Sequence, residues 1–204
     1  MSRLPVPVRP ALAAAIAALG FLGLLAVAGC AGGAIGADVP QSAGANFVGH
    51  AYESALYKVG QRPKAPDVSG TTVTGAHLNL SSYRGDTVVL NFWGSWCAPC
   101  RAEAPALAEV ARQLHPQGVR FVGIDIQDQP DSAKAFMQTF NVSYPSLSDP
   151  GDQIALGFHS TVPPAAIPTT LVIDRSGRIA ARIYGPATYK ELKSLVDEVA
   201  GLRS

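Results

Sequence analysis

From residue 63 onward, hydrophobic and polar positions follow the order expected of an α/β domain. Continuous apolar, β-branched segments predict buried strands, and apolar residues recurring every three or four positions predict helices. The predicted strands are 87–92, 119–126, 142–147, 169–173 and 179–184, and the predicted helices are 98–114, 131–140, 151–158 and 189–199. Strands and helices alternate and a hairpin with a helix follows, so the pattern predicts a mixed β-sheet flanked by helices.

The chain before this region has weaker patterns. Residues 71–80 predict an N-terminal β-hairpin, because two short alternating segments flank Gly75. Residues 30–62 begin rich in Ala, Gly and Ser and lack a strong period, which is typical of a flexible tether. A weak apolar stretch at 47–59 suggests one short helix near 52–58. We therefore expect the globular domain at 63–204.

Residues 1–29 have the pattern of an export signal. Arg3 and Arg9 are the only charges in this segment, and 11–28 is an unbroken run of Ala, Leu, Ile, Phe, Gly and Val. That run just reaches the length of a membrane span. A basic start, an apolar centre and an exit of small residues are more typical of a secretory signal.

The exit of this segment, Val-Ala-Gly before Cys30, resembles the lipobox of bacterial lipoproteins. The resemblance implies cleavage before Cys30 and lipid attachment to it, which would hold the protein at the membrane. The alternative is an uncleaved single-span anchor with an unused thiol. Both interpretations place the domain at the extracytoplasmic face of the cell membrane.

Composition excludes several classes of protein. The chain is 48% hydrophobic with a formal net charge of +1, which does not fit a disordered chain or a broad basic surface for nucleic acid. Its three cysteines are too few for a disulfide scaffold. One domain with appended segments fits the length of 204 residues.

The most informative motif is Cys-Ala-Pro-Cys, residues 97–100, between a predicted strand and a predicted helix. Spacing i, i+3 puts both sulfurs on one helical face, within disulfide distance. Cys97 falls at the helix N-terminus, where the macrodipole favours negative charge, so we expect its pKa to lie below about 8.5. One thiolate can then attack a partner's disulfide, and Cys100 can resolve the mixed disulfide.

Other uses of such a pair fit less well. Zinc usually needs four ligands, and neither a second CxxC nor a His-x₃₋₅-His is present, so we expect no metal. A c-type haem site needs His after the second cysteine, where this chain has Arg101. A peroxiredoxin would want Thr or Ser at Gly94. A purely structural disulfide stays possible, but a loop this short restrains the unfolded chain little.

The strand, the paired tryptophans Trp93 and Trp96, the CxxC and the helix together resemble the thioredoxin superfamily. The segment Ile-Pro-Thr-Thr at 167–170 strengthens the resemblance, because family members place a cis-proline before a strand that faces the CxxC. The resemblance implies a thioredoxin-like fold. It also implies a substrate surface formed by Trp96, Ala98, Pro99, Ile167 and Pro168.

Within the superfamily, residues 63–204 are similar to membrane-tethered TlpA/ResA-type thiol-disulfide oxidoreductases. Asn91 stands where cytosolic thioredoxins carry a buried Asp, Glu103 follows the second cysteine by three residues, and 131–147 fits a central helix-and-strand insertion. A partly buried Glu103 with a raised pKa could take the proton from Cys100, which makes it the third predicted catalytic residue. The alternative is an ordinary solvated acid.

The direction of electron flow follows from the residues between the cysteines. Ala98 and Pro99 supply no charge and no side-chain donor, so the thiolate should be only moderately stabilised and the pair fairly reducing. We expect a disulfide reductase without cofactor, supplied by a membrane thiol donor. The family resemblance implies envelope substrates such as apocytochrome c during cytochrome c maturation. Alternatives are an oxidant or general thiol exchanger, or a non-catalytic copper- or apocytochrome-binding lipoprotein.

Overall fold

The computed structural model describes residues 53–161 and 166–202. The strands in these residues are β1 Glu53–Leu56, β2 Ser69–Thr71, β3 His77–Asn79, β4 Thr87–Trp93, β5 Val119–Ile126, β6 Ser146–Asp149, β7 Thr169–Ile173 and β8 Ile179–Tyr184. The α-helices are α1 Ala98–Leu114, α2 Pro130–Thr139, α3 Gln153–Gly157 and α4 Tyr189–Ala200.

Six strands form one mixed sheet in the order β1-β8-β7-β4-β5-β6, and β2 and β3 form a separate hairpin. The central strand β4 is buried at all seven positions, since its apolar and β-branched residues are covered on both faces. It pairs parallel with β5 and antiparallel with β7, so the end of β4 and the start of β7 meet at one end of the sheet.

Side chains alternate between two cores along the sheet. On one face, Val89 and Trp93 join residues of α1, α2 and α4. On the other face, Leu90 and Phe92 join Phe158 and Leu78 of β3. Each fully buried side chain of this size contributes about 1.5–3 kcal/mol relative to an exposed one. The sheet is therefore a rigid support for the loops at its ends.

The predicted elements agree closely with the structure around the centre of the fold. The bounds of α1, β5, β7 and β8 are those predicted. The hairpin is present, but its strands lie at Ser69–Thr71 and His77–Asn79, because Gly75 takes a positive φ of 92° and joins the turn. The strand predicted at 142–147 begins later, at Ser146.

The prediction of a tether with one short helix at 52–58 is wrong for Glu53–Leu56. These residues form β1, which pairs antiparallel with β8 at the edge of the sheet. Three of the four are exposed, so no hydrophobic alternation marks the strand. Its pairing comes from the free edge of β8, a partner about 130 residues away that no local pattern reveals. The sheet thus begins before the expected boundary at residue 63.

The predicted signal at 1–29 and the predicted lipidation residue Cys30 lie outside the described residues. Within the ranges that the structure describes, no helix combines the length and the hydropathy needed to cross a bilayer.

Candidate active site

The two cysteines lie at the junction between β4 and α1. After Trp93 the chain makes a turn at 94–97, closed by a hydrogen bond from the N–H of Cys97 to the carbonyl oxygen of Gly94 at 3.1 Å. Helix α1 begins at once, with Cys97 as its N-cap and Pro99 in the first turn, where a missing N–H costs nothing. Cys97 and Cys100 form a disulfide with a Cα–Cα distance of 5.3 Å.

The sulfur of Cys97 takes the place of a capping oxygen. The backbone N–H of Cys100 donates to Sγ of Cys97 at 3.2 Å. Free N–H groups and the macrodipole at this position favour negative charge, so they stabilise a thiolate on Cys97 once the disulfide is reduced. Cys97 is 4% exposed and Cys100 is 1% exposed, so both residues are buried and Cys97 is slightly the more accessible of the two.

The predicted substrate residues surround this junction. Trp96 is 55% exposed, which is unusual for so large an apolar side chain, and Ala98 and Pro99 are exposed beside it. The Ile167–Pro168 peptide bond is cis, as the family resemblance implies. Thr169 at the start of β7 pairs with Phe92 of β4, so the cis-proline lies at the CxxC end of the sheet.

Glu103 is buried under the site, 3% exposed, on the α1 turn that follows Cys100. Its Oε1 accepts a hydrogen bond from Nδ2 of Asn91 at 2.8 Å, and its Oε2 accepts one from the N–H of Ala187 at 2.7 Å. Burial raises the pKa of Glu103 to about 7, although both hydrogen bonds act to lower it. The carboxyl can therefore take up or release a proton near neutral pH.

Asn91 links this carboxyl to a neighbouring strand. Its Nδ2 also donates to Oγ1 of Thr170 at 3.1 Å, so both amide hydrogens have an acceptor. A buried carboxylate at the position of Asn91 would face Glu103 at this distance and repel it. An amide instead orients Glu103 without adding a second negative charge.

A second group of acids, not predicted from the sequence, lies at this end of the sheet. Asp125 in β5 and Asp128 just after it are both buried, and Asp128 accepts hydrogen bonds from N and Oγ of Ser95 in the turn before Cys97. Burial, and then the charge and hydrogen bond of Asp128 and the charge of Asp149, raise the pKa of Asp125 to about 8. The signal was present, since Asp125 interrupts an apolar strand predicted to be buried.

Among the residues of the described ranges, no group of three or more His, Cys, Asp or Glu side chains is arranged to hold a metal ion. The titratable groups at this end of the sheet include the two cysteines and two carboxyl groups, Glu103 and Asp125, with pKa values of about 7 and about 8.

Comparison with known proteins identifies the class. Residues 61–182, more than half of the chain, match the model of the AhpC/TSA family, and the chain belongs to this family. With its thioredoxin-like mixed sheet and CxxC disulfide, the protein is a thiol-disulfide oxidoreductase.

Individual relatives agree with this class. The thiol-disulfide oxidoreductase ResA of Geobacillus kaustophilus is 33% identical over 135 residues, which are 66% of this chain and 75% of that protein. The thiol:disulfide interchange protein HelX of Rhodobacter capsulatus is 37% identical over 114 residues, 55% of this chain and 60% of that protein. A secreted thiol-disulfide isomerase of Corynebacterium glutamicum has a similar structure, with a TM-score of 0.69 and 32% identity over 72% of this chain and 92% of that one.

Proposed function

We propose that this protein is an extracytoplasmic disulfide reductase that acts on envelope proteins such as apocytochrome c. The observation that carries the proposal is the Cys97–Cys100 pair at the N-terminus of α1. The dipeptide between the cysteines has no charge and no side-chain donor. Thiolate stabilisation then comes from the helix alone, which favours a reducing pair over a strong oxidant.

The reaction has two exchange steps. The Cys97 thiolate attacks one sulfur of a substrate disulfide, and the other substrate sulfur leaves as a thiolate that takes a proton from water. Cys100 then loses its proton and attacks Sγ of Cys97, which releases the second substrate sulfur as a thiolate and forms the Cys97–Cys100 disulfide. Two electrons pass to the substrate. A membrane dithiol returns them by reducing the disulfide.

Glu103 is the proposed acceptor of the Cys100 proton. It lies one helical turn beyond Cys100, the spacing at which side chains on a helix meet. A carboxyl with a pKa of about 7 is matched to proton transfer at neutral pH. The hydrogen bonds from Asn91 and Ala187 hold it in place for this step.

The substrate chain is proposed to bind along the surface formed by Trp96, Ala98, Pro99, Ile167 and Pro168. The exposed indole of Trp96 offers an apolar contact beside Cys97. The backbone of Ile167, next to the cis-proline, offers hydrogen bonds to an extended peptide. This arrangement selects a disulfide in an accessible, unfolded segment.

We also propose that the reaction takes place at the outer face of the cell membrane. Residues 1–29 would be removed as a lipoprotein signal, and lipid on Cys30 would hold the domain at the outer face of the cell membrane. The secreted isomerase of similar structure supports an extracytoplasmic site. Radiolabelled palmitate should enter the wild-type protein, and Cys30→Ala should not be labelled. Equal label in both proteins would contradict lipidation at Cys30.

The redox potential tests the direction of electron flow. Equilibration of the full chain with a dithiothreitol redox buffer should give a value for Cys97–Cys100 below about −200 mV, in the range of reducing pairs. A value near about −120 mV would identify a strong oxidant and contradict the reductase proposal.

Trapping tests the substrate. Cys100→Ser leaves Cys97 without a resolving thiol, so mixed disulfides should accumulate and be identified by mass spectrometry. Apocytochrome c should be among them. The double variant Cys97→Ser, Cys100→Ser is the matched control and should trap nothing. If the captured proteins did not include apocytochrome c, the proposal that apocytochrome c is a substrate would be contradicted.

A further inference from the structure

The turn that precedes Cys97 is attached to the loop that follows β5. Oδ2 of Asp128 accepts a hydrogen bond from the N–H of Ser95 at 2.6 Å, and Oδ1 accepts one from Oγ of Ser95 at 2.9 Å. Oδ1 of Asp128 also accepts from the N–H of Gln129 at 2.8 Å, which fixes the carboxylate against its own backbone. Three donors therefore converge on one carboxylate that is only 7% exposed.

A second attachment joins the same two segments. Nε1 of Trp96 donates to the carbonyl oxygen of Ile126 at 3.3 Å. The indole reaches this oxygen by lying over Gly94, where an added Cβ would be 2.7 Å from Nε1 of Trp96. Because Ser95 and Trp96 are the two central residues of the turn closed between Gly94 and Cys97, the loop after β5 holds both of them.

Other titratable and charged side chains lie around the contact between Asp128 and Ser95. Asp125 lies beside it with a pKa raised to about 8, so at neutral pH Asp125 carries a proton and can donate it in a hydrogen bond to Asp128. Asp149 at the end of β6 is the other nearby acid that acts on Asp125. On the α1 side, Arg101 donates to the carbonyl oxygen of Ser95 at 3.3 Å.

We propose that Asp128 is a positioning residue for the thiol chemistry: by holding Ser95, it keeps Sγ of Cys97 at the N-terminus of α1. Stabilisation of negative charge by a helix terminus falls off within the first turn, so a small displacement of Cys97 weakens it. This role depends on the reactive role proposed above for Cys97. Asp128 is distant from Cys97 in the sequence, yet it would help to set the reactivity of that thiol.

A carboxylate close to a thiolate can also act simply as a like charge. In that case removal of Asp128 would favour the thiolate and make Cys97 more reactive. Loss of positioning therefore predicts slower reaction of Cys97 when Asp128 is replaced, whereas loss of charge repulsion predicts faster reaction. Ser95→Ala separates them further, since it deletes one hydrogen bond to Asp128 and changes no charge.

The test is the rate at which iodoacetamide alkylates Cys97 in the reduced full-length protein, read by peptide mass spectrometry from pH 5 to 9. Ser95→Ala and Asp128→Ala should slow alkylation at pH 7 by about two- to tenfold and move the pH profile upward, the size expected for a weakened helix-terminus interaction. Asp128→Asn keeps one acceptor oxygen and should be affected less than Asp128→Ala.

The matched control is Ser176→Ala, which deletes an equivalent hydroxyl bond to Asp174 away from the cysteines and should leave the rate unchanged. Faster alkylation in both Asp128 variants, or an unchanged rate in Ser95→Ala, would overturn the positioning role. If Asp128→Ala does not fold, Ser95→Ala still decides the question. Slow alkylation of Cys97 in the wild-type protein would instead contradict the proposed function itself.

Discussion

At each end of the sheet, an aspartate accepts hydrogen bonds from the backbone and the hydroxyl of a serine. The charged groups around the two aspartates differ. At the CxxC end, Asp128 accepts hydrogen bonds from N and Oγ of Ser95. At the other end, after β7, Asp174 accepts hydrogen bonds from N and Oγ of Ser176 at 2.9 and 2.6 Å. Asp174 also pairs with Arg62 at 3.0 Å, whereas Asp128 interacts with another acid, Asp125.

The different surroundings move pKa values in opposite directions. Burial acts to raise the pKa of Asp174, but hydrogen bonds from Ser176, Arg62 and Arg178 together lower it. At the CxxC end, burial dominates, and the pKa values of Glu103 and Asp125 rise to about 7 and about 8. Hydrogen bonds from Ser176 and Arg62 thus favour the ionised form of Asp174, while Glu103 and Asp125 can change protonation near neutral pH.

The largest expected effect is on the rate of the exchange reaction when Glu103 is replaced. Glu103→Gln removes the proton acceptor, so resolution by Cys100 should slow by about tenfold or more at pH 7. In the wild-type protein the resolution rate should rise with pH through about 7 as Glu103 ionises, and this inflection should be absent from the variant. Stopped-flow measurement of mixed-disulfide resolution across pH 5–9 gives both quantities.

Glu109→Gln on the same helix is the control for Glu103→Gln. Glu109 is more exposed and pairs with Arg112, so its replacement should preserve the pH profile. An identical pH profile for wild type and Glu103→Gln would contradict proton transfer by Glu103. The raised pKa of this carboxyl would then have no part in the reaction.

The next largest expected effect is a loss of stability when the packing at the CxxC end of the sheet is disturbed. Gly123 in β5 faces Trp93, and an added Cβ would be 2.6 Å from its Nε1 and closer still to Oγ of Ser146. Gly123→Ala should therefore lower the free energy of unfolding by about 1–3 kcal/mol in urea denaturation. Gly60→Ala, where a Cβ meets nothing within 4 Å, is the control and should change it little. Equal effects of the two variants would contradict this packing.

The protonation of Asp125 should be visible in stability. The pKa of Asp125 rises from 3.8 to about 8 on folding, so its favourable contribution is complete below pH 3.8 and is lost as the pH rises through 8. Asp125→Asn is always neutral, so its free energy of unfolding relative to wild type should increase between pH 4 and 8 by at least about 1 kcal/mol. Asp131→Asn, at a fully exposed position, is the control. If the difference in the free energy of unfolding between Asp125→Asn and wild type did not change with pH, Asp125 would not be the group that holds the proton.

Asp174 should give a smaller effect with the opposite pH dependence. Its pKa is lowered on folding, so its contribution is present above pH 3.8 and is lost as the pH falls through its folded pKa. Asp174→Asn should lower the free energy of unfolding by up to about 1 kcal/mol at pH 7, and the loss should shrink below pH 3.8. If acid left the difference unchanged, the ion pair with Arg62 would not be its source.

Much of the fold was predictable because its signals are local. Helix α1 and strands β5, β7 and β8 have the predicted bounds, since each combines a clear hydrophobic period with a turn or cap residue at its ends. The cysteine pair was predictable for the same reason, because spacing on one helix fixes the distance between the sulfurs. Strand β1 was not, since its pairing with β8 comes from the far end of the chain.

The surroundings of the site depended on contacts distant in sequence. Ala187 donates to Glu103 across 84 residues, and Asp128 accepts from Ser95 across 33 residues. A motif search along the chain finds the cysteines and the glutamate but not the groups that set their protonation. Asp125 could have been singled out, because an acid within a strand that is apolar on both sides predicts an unusual environment.

By itself, the amino-acid sequence determined the order of strands and helices from the β2–β3 hairpin onward, the CxxC at a helix N-terminus and the cis-proline segment that completes the thioredoxin-like pattern. Those features depend on backbone geometry and hydrophobic period over a few residues. Only the tertiary structure decided that Glu103 and Asp125 are buried without a cation while Asp174 has Arg62. Desolvation and charge act through space, so the pKa of a carboxyl is a property of the folded surroundings and not of its position in the chain.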